Sequence, residues 1–132
     1  MKLLLDTHLL IWSAEGDEGR TGAMPPSAAS LIDDPENALV FSVASVWETA
    51  IKHALGRASF RTDPRLMRRA LLDNGYEELP ILAEHALAAG ALPALHKNPF
   101  DRMLIAQASV EGITLLTADA MIAAYPGPIR KV

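Results

Sequence analysis

The stretch Lys-Leu-Leu-Leu-Asp-Thr-His near the start of the chain constrains the fold more than any other. Leu3, Leu4 and Leu5 are apolar without alternation, which predicts a short strand covered on both faces, as in a parallel sheet. The run stops at Asp6, which therefore marks the C-terminal end of the strand. Because functional sites of parallel sheets form at that end, we expect Asp6 to belong to one.

Along the rest of the chain, apolar stretches alternate with residues that typically begin or end helices. Further strands are predicted at 38–41 and 113–116, more weakly at 76–79, and from Ile129 onward. Helices are predicted at 7–14, 27–32, 42–55, 64–74, 82–89, 98–111 and 119–124. This alternation indicates an α/β fold with a mostly parallel sheet and helices on both faces. The length suits one domain, so we expect a single domain over residues 1–132.

The composition excludes several classes of protein. The chain has no Cys, which excludes disulfides, thiolate zinc sites and a Cys nucleophile. Its net charge of −4 argues against sequence-independent coating of nucleic acid, which depends on many basic contacts to phosphates. No segment approaches the roughly 20 apolar residues of a membrane span, and the N-terminal run lacks the features of a signal peptide. We therefore expect a cytoplasmic protein that does not enter a membrane.

Apolar spacing predicts which helix faces are buried. Leu9 to Trp12 are apolar around more than one stripe, which indicates either core or an interface with a second subunit or a partner helix. The core positions expected in the 42–55 and 64–74 helices are Val46, Trp47, Ala50, Ile51, Ala54, Leu66, Met67, Ala70 and Leu71. Gly16, Gly19 and Gly22, followed by two prolines, predict a loop.

A basic stretch lies between Arg57 and Arg69. It contains five arginines, Arg57, Arg61, Arg65, Arg68 and Arg69, against the single acid Asp63. Such a run is most often a solvated helix face, and a phosphate-contacting surface is the alternative.

Four acidic residues are predicted to meet at the C-terminal edge of the sheet. Asp6 follows the first strand, and Glu48 lies in the second turn of the helix after the second strand. Asp101 lies in the first turn of the helix that leads back to the strand at 113–116, and Asp119 follows that strand. All of these positions belong to the same edge when the strands are parallel.

Each acid also has an ordinary structural explanation. Acids in the first turn of a helix are stabilised by about 0.3–1 kcal/mol. The pairs with capping-box spacing are Ser45 with Glu48 and Asn98 with Asp101. Thr117 could likewise cap a helix that contains Asp119. Four carboxylates at one edge, however, repel and raise one another's pKa unless cations are present, which favours a shared site.

Carboxylates without Cys and without paired His select Mg²⁺ or Mn²⁺ over zinc, as one or two ions. A bound water can then be deprotonated near neutral pH, and a second ion can stabilise a leaving oxyanion. This chemistry suits hydrolysis of a phosphodiester. The histidines, His8, His53, His85 and His96, are dispersed and are expected to be structural or exposed, with His8 as a candidate for lining the site.

Four motifs spread over nearly the whole chain carry a family resemblance. They read Leu-Leu-Asp-Thr-His at 4–8, Ser-Val-Ala-Ser-Val-Trp-Glu at 42–48, Asn-Pro-Phe-Asp-Arg-Met-Leu-Ile-Ala-Gln-Ala at 98–108 and Leu-Thr-Ala-Asp at 116–119. Together they resemble the PIN domain of the VapC toxin type, and the third motif is the most specific. The resemblance implies a three-layer PIN-like fold.

The resemblance further implies a Mg²⁺- or Mn²⁺-dependent ribonuclease that acts as the toxin of a toxin–antitoxin pair, usually a homodimer neutralised by a small antitoxin. The family's catalytic, metal-binding acids carry over as Asp6, Glu48, Asp101 and Asp119. Its polar site residues map to Thr7, Ser45 and Thr117.

Asp101 is followed by a basic residue, Arg102, and preceded by a polar loop. Arg102 either forms an ion pair with a neighbouring acid or, together with the basic stretch, holds the RNA backbone. The loop ahead of Asp101 reads His96-Lys97-Asn98, where relatives often carry a basic and then an acidic residue. Asn98 preserves the helix cap and removes that charge.

Two alternatives remain open at this point. The chain could be a non-catalytic RNA- or protein-binding module on a nuclease-like fold, although such a module has no need of mutually repelling carboxylates. It could also be a metal-dependent phosphatase that acts on small molecules, which differs only in its substrate.

Overall fold

The computed structural model describes residues 1–15 and 23–132, so the loop glycines Gly16, Gly19 and Gly22 lie outside the described residues. The strands are β1 (Lys2–Leu5), β2 (Ala38–Ser42), β3 (Glu77–Leu79), β4 (Thr114–Thr117) and β5 (Ile129–Lys131). The helices described are α1 (Thr7–Ala14), α2 (Pro26–Asp33), α3 (Val43–Ala54), α4 (Pro64–Asp73), α5 (Ala83–Gly90), α6 (Pro99–Glu111) and α7 (Ala120–Ala123). The predicted elements are therefore present, with ends that differ by one or two residues.

The five strands form one sheet in the order β3-β2-β1-β4-β5, and every neighbouring pair is parallel. The predicted α/β fold with a parallel sheet is thus confirmed. β1 lies in the centre, where Leu4 stands opposite Val40 of β2 and Leu115 of β4. Since β2 and β4 lie on opposite sides of β1, the chain changes direction across the sheet between β1 and β4, which is where parallel sheets place their sites.

Alternate residues of the central strands pack into two separate cores, one on each face of the sheet. Leu3 and Leu5 join a cluster with buried side chains of α1, α2 and α4, including Leu10, Ala28 and Met67. Leu4, Val40 and Leu115 join a second cluster with buried side chains of α3, α6 and α7. Because successive side chains of a strand point to opposite faces, the unbroken apolar run in β1 reflects these two cores.

Helix α1 belongs to the first core. Leu9, Leu10 and Ile11 are buried, so the core interpretation of this segment is confirmed for them, and Trp12 is partly buried against the same cluster. In the part of the chain that the structure describes, no helix combines the length and apolar character that crossing a bilayer requires.

Local signals fix the ends of α6. The side chain of Asn98 accepts hydrogen bonds from the backbone N–H groups of Phe100 and Asp101, at 2.9 and 3.3 Å, and Pro99 occupies the first turn. Gly112 ends the helix with a φ of 68°, a left-handed conformation that glycine adopts without strain. These contacts set the direction in which the first turn of α6 presents Asp101.

The predicted buried face of α3 is wrong. Trp47, Ile51 and Ala54 are exposed, whereas Ser45, Glu48 and Thr49 are buried. The helix is turned so that its polar face lies inward, because the Glu48 and Ser45 side chains find hydrogen-bonding partners on α1 (below). In α4, Met67 and Leu71 are buried as predicted, while Leu66 is exposed.

Candidate active site

The four predicted acids line one cavity of about 140 Å³ at the C-terminal edge of the sheet. Its lining residues are Asp6, Thr7, His8, Glu48, Lys52, His96, Asn98, Asp101, Asp119 and Ile122. The acids come from four separate elements, and the structure brings them together as the parallel topology predicts. The same cavity contains two cations or potential cations that the sequence analysis did not assign to it, Lys52 and His96.

Asp6 joins the end of β1 to the start of α1. Its Oδ1 accepts a hydrogen bond from the backbone N–H of Leu9 at 3.0 Å, which makes Asp6 the N-cap of α1. Its Oδ2 accepts a hydrogen bond from the Thr117 hydroxyl at 2.5 Å, across the β1–β4 boundary. Asp6 is buried, so its carboxylate is held in a fixed position by one helix end and one neighbouring strand.

Glu48 projects from the inward face of α3. Its Oε1 accepts a hydrogen bond from the Thr7 hydroxyl at 2.6 Å, and Lys52 Nζ lies 2.6 Å from its Oε2. The Thr7 hydroxyl also lies 3.0 Å from Ser45 Oγ. The capping box expected for Ser45 and Glu48 is wrong, because α3 is capped by Ser42 and both residues lie inside the helix.

Asp101 lies in the first turn of α6, where His96 contacts it. His96 Nε2 lies 2.8 Å from Asp101 Oδ2, and both side chains are largely shielded from solvent. His96 was expected to be structural or exposed, and this contact places it in the site instead. No local pattern marks it, since it precedes Asp101 by five residues across a loop and a helix start.

Asp119 is the exposed member of the set. It is the N-cap of α7, which begins at Ala120 rather than at Asp119 as predicted, and its Oδ1 accepts a hydrogen bond from the Met121 N–H at 2.8 Å. Thr117 Oγ1 accepts a hydrogen bond from the Asp119 N–H at 3.0 Å while it donates to Asp6. Thr117 therefore couples the two acids that flank the boundary between β1 and β4.

Burial raises the pKa values of two of these acids. Removal from solvent raises the pKa of Asp6 to about 6, although the hydrogen bonds from Thr117 and Leu9 act in the opposite direction. Burial also raises the pKa of Asp101, helped by the negative charges of Glu48 and Asp119 and opposed by His96. Folding therefore disfavours the ionised forms of Asp6 and Asp101 in the metal-free protein.

The donor set fits a hard divalent cation. Carboxylate oxygens from four elements line one cavity, and oxygen is the ligand that Mg²⁺ prefers, with water in the remaining positions. Within residues 1–15 and 23–132, no three His, Asp or Glu side chains are arranged so that they could hold a metal ion as they stand. Glu48 and Asp101 are engaged by Lys52 and His96, so an ion would have to share or displace those partners.

Arg102 contacts backbone carbonyls rather than the neighbouring acid with which an ion pair was predicted. Its guanidinium donates hydrogen bonds to the backbone carbonyls of Ala89, Leu92 and Pro93, at 2.8–3.1 Å, and approaches the Tyr125 hydroxyl at 3.3 Å. Among the described residues it forms no ion pair with an acid. Arg102 therefore fixes the segment between α5 and α6, which carries His96 to the site.

The basic stretch lies on the outer surface of α4. Arg65, Arg68 and Arg69 are exposed and line a depression of about 440 Å³, and Arg68 is paired with Glu78 at 2.6 Å. Exposure agrees with a solvated helix face. None of these arginines lines the acidic cavity.

The sequence contains a usable signal for Lys52 but none for His96. Lys52 follows Glu48 by four residues on a helix, and acid–lysine pairs with this spacing are neighbours on the helix surface. That spacing could have placed Lys52 beside the site once Glu48 was assigned to it. His8, in contrast, does line the cavity, as the sequence analysis allowed.

Known proteins share this architecture over its full length. The structure resembles that of VapBC2 from Rickettsia felis bound to a DNA fragment from their promoter, with a TM-score of 0.68, 15% identity, and 99% of this chain and 98% of that chain covered. VapBC-1 from nontypeable Haemophilus influenzae gives a TM-score of 0.62 at 20% identity, with 99% and 98% covered. A domain of a functionally unknown protein from Methanocaldococcus jannaschii gives 0.55 at 15%, with 99% and 91% covered.

No curated protein matches the sequence significantly. The PIN domain family, in contrast, matches residues 3–128, which is most of the chain. The sheet order and the site at its C-terminal edge agree with that match. The chain therefore belongs to the PIN domain family.

Proposed function

We propose that the chain is a Mg²⁺- or Mn²⁺-dependent endoribonuclease that acts as the toxin of a toxin–antitoxin pair in the cytoplasm. The observation that carries this proposal is the meeting of Asp6, Glu48, Asp101 and Asp119 in one cavity. Burial raises the pKa values of two of these acids, Asp6 and Asp101, and a bound cation would favour their ionised forms.

Each of the four acids has a proposed role at the bound ion. Asp6, Glu48 and Asp101 bind the principal ion, directly or through water, and Asp119, the most accessible acid, completes the cluster toward a second ion or the attacking water. When bound, the ion supplies a nucleophilic hydroxide at neutral pH and stabilises charge on the phosphodiester oxygens. The product is an RNA chain cut at an internal phosphodiester.

The surrounding side chains hold the carboxylates for this task. Thr117 and the Leu9 N–H orient Asp6, and the Thr7 hydroxyl orients Glu48, so the carboxylate positions are fixed before substrate arrives. Lys52 and His96 supply positive character next to Glu48 and Asp101, which limits their repulsion in the metal-free protein.

Metal-dependent RNA cleavage is the expected result with purified chain free of partners. The protein is stripped of metal with chelator and incubated with structured and unstructured RNA, with and without Mn²⁺. We expect cleavage only when Mn²⁺ or Mg²⁺ is added, because the carboxylate cavity cannot lower the barrier alone.

Three outcomes would contradict parts of this proposal. Cleavage in excess chelator would contradict the metal dependence. Phosphate release from mononucleotides with intact RNA would favour a phosphatase. Neither cleavage nor a metal-induced thermal shift would favour a binding module.

The toxin role is supported by two similar structures, which are those of VapBC proteins. The resemblance to VapC toxins implies a small antitoxin as partner and a homodimer. In this chain, Trp47, Ile51 and Leu55 form an exposed apolar stripe on one side of α3. An apolar stripe of this kind is typical of a protein interface, and we assign it to a second copy of the chain.

The purified chain is expected to sediment as a dimer, and Trp47→Ala is expected to shift it toward monomer because the largest apolar side chain of the stripe is lost. Leu87→Ala is the matched control, since Leu87 is 77% exposed on α5 and lies outside the stripe. A wild-type chain that remains monomeric at micromolar concentrations would contradict the homodimer. Equal effects of the two substitutions would contradict the assignment of the stripe.

A further inference from the structure

A second cavity, of about 260 Å³, adjoins the acidic cavity. Its lining residues are Asp6, His8, Trp12, Ala118 and Asp119. Three of them, Asp6, His8 and Asp119, also line the acidic cavity, so the two cavities are immediate neighbours. A substrate phosphodiester held by a cation in the acidic cavity would therefore have its neighbouring nucleoside near the second cavity.

Two rings, those of His8 and Trp12, line this second cavity, and the Phe60 ring lies next to His8. The His8 ring is exposed and lies 5.8 Å from the Trp12 ring and 5.5 Å from the Phe60 ring, measured between centroids. Lys52 Nζ lies 5.0 Å from the centroid of Phe60. Trp12 packs against the first core, so the wall is held rigidly.

These features match the way proteins bind single-stranded RNA. Unpaired bases stack on aromatic side chains, and a nearby cation contacts the backbone. The volume of the cavity is below the ~300–1,000 Å³ of pockets for drug-sized ligands, which suits one base rather than a larger group. Among the described residues, the lining of this cavity contains no Lys or Arg that could bind a phosphate, whereas His8 and Trp12 offer ring faces, so a neutral ring is the occupant that the lining favours.

We propose that the cavity formed by His8 and Trp12 binds one nucleobase next to the phosphodiester that is cut, and that His8 and Trp12 position the substrate by stacking. This subsite rests on the proposed ribonuclease function. Stacking tolerates any base, so the subsite is expected to require the presence of a base rather than a particular sequence.

The first test is kinetic and uses a short RNA whose cut site has been mapped. Two substrates are compared with it, each lacking one base, on the 5′ or on the 3′ side of the cut. Wild-type protein is expected to show a KM about tenfold higher or more for one of them, with a smaller change in kcat, because stacking is lost before chemistry. His8→Ala is expected to raise KM for the intact RNA and to cause no further increase in KM for the abasic RNA that wild-type protein disfavours. His8→Phe retains a ring and is expected to keep KM for the intact RNA low.

The second test does not need cleavage. The chain has two tryptophans, so Trp47→Phe leaves Trp12 as the only tryptophan. Intact RNA in the presence of Ca²⁺ is expected to quench the Trp12 emission in a saturable way, and the abasic RNA that is disfavoured in the kinetic test is expected to quench it less.

The two proposals can fail separately. RNA that is cut with equal KM values for intact and abasic substrates, without a change in Trp12 emission, would overturn the subsite and leave the nuclease standing. Trp12 quenching by intact RNA without cleavage would support the subsite and contradict the nuclease. Absence of both signals would overturn both.

Discussion

Replacing Asp6 by Asn is expected to abolish RNA cleavage and to stabilise the metal-free protein at neutral pH. Cleavage should fall by more than about 100-fold, since loss of an outer-shell partner alone costs 10- to 100-fold. Stability should rise because the folded state opposes ionisation of Asp6, whose pKa is raised to about 6. Asn can still accept the Leu9 hydrogen bond, so the cap of α1 is preserved.

The size of this stabilisation depends on pH. The unfolded chain ionises Asp6 near pH 3.9, whereas the folded chain does so near 6, so wild-type stability falls as pH rises between these values and changes little above them. The shift corresponds to at most about 3 kcal/mol, and we expect a gain of about 1–2 kcal/mol for Asp6→Asn above pH 7. Below pH 4 the two proteins should be nearly equal in stability.

Urea unfolding of metal-free protein between pH 4 and 8 measures this difference. Asp63→Asn is the matched control, because Asp63 is an exposed N-cap that accepts a hydrogen bond from the Arg65 N–H at 2.8 Å and lies outside the cavity. The control is expected to change neither stability nor cleavage appreciably. Expression of wild-type protein, but not of Asp6→Asn, is expected to arrest growth. Retained cleavage, or a variant less stable than wild type at pH 7.5, would contradict the role assigned to Asp6.

Replacing Lys52 by Met is expected to destabilise the metal-free protein by about 1–3 kcal/mol. The Lys52 ammonium lies 2.6 Å from Glu48 Oε2, and the side chain of Glu48 is only 3% exposed. Loss of one partner of a fully buried ion pair costs about 3–5 kcal/mol, because the other charge remains buried and unpaired. The Lys52 side chain is 25% exposed, so water compensates part of this loss and the expected value is lower.

The same variant tests whether the Lys52 ammonium group occupies the position that a metal ion would take beside Glu48. Saturating Mg²⁺ is expected to raise the melting temperature of Lys52→Met more than that of wild type, because the ion no longer competes with an ammonium group. Lys2→Met is the matched control, since Lys2 pairs with Glu77 on the surface at 3.0 Å with both side chains about half exposed. That control should cost no more than about 1 kcal/mol. Equal melting temperatures and equal Mg²⁺ shifts for the two variants would contradict this role.

The parts of the fold that the sequence predicts are those with local causes. The Leu3 to Leu5 run ends at a carboxylate, and this pattern alone predicts β1 and the position of Asp6. Asn98, Pro99 and Gly112 delimit α6 through capping and φ preferences that act within a few residues. The parallel topology then places the four acids at one edge of the sheet, and this position can be predicted without information on side-chain contacts.

The parts that the sequence does not predict depend on contacts between distant segments. Apolar spacing in α3 selects the face that contains Trp47 and Ile51, yet the face with Glu48 is buried because a hydroxyl on α1, that of Thr7, donates to it. His96 likewise reaches Asp101 through a loop that Arg102 holds in place by backbone carbonyls. Neither contact corresponds to a periodic pattern in the sequence, so neither could be predicted from it.

The central position of β1 has a consequence for synthesis of the protein. The Asp6 carboxylate is bound by Thr117, 111 residues later in the chain, and β1 pairs with β4 along its length. A nascent chain therefore emerges from the ribosome with the Asp6 carboxylate exposed and without the strand that completes the cavity. The proposed nuclease activity can arise only after Asp119 has left the exit tunnel, so this topology keeps the nascent chain inactive until its cavity is complete.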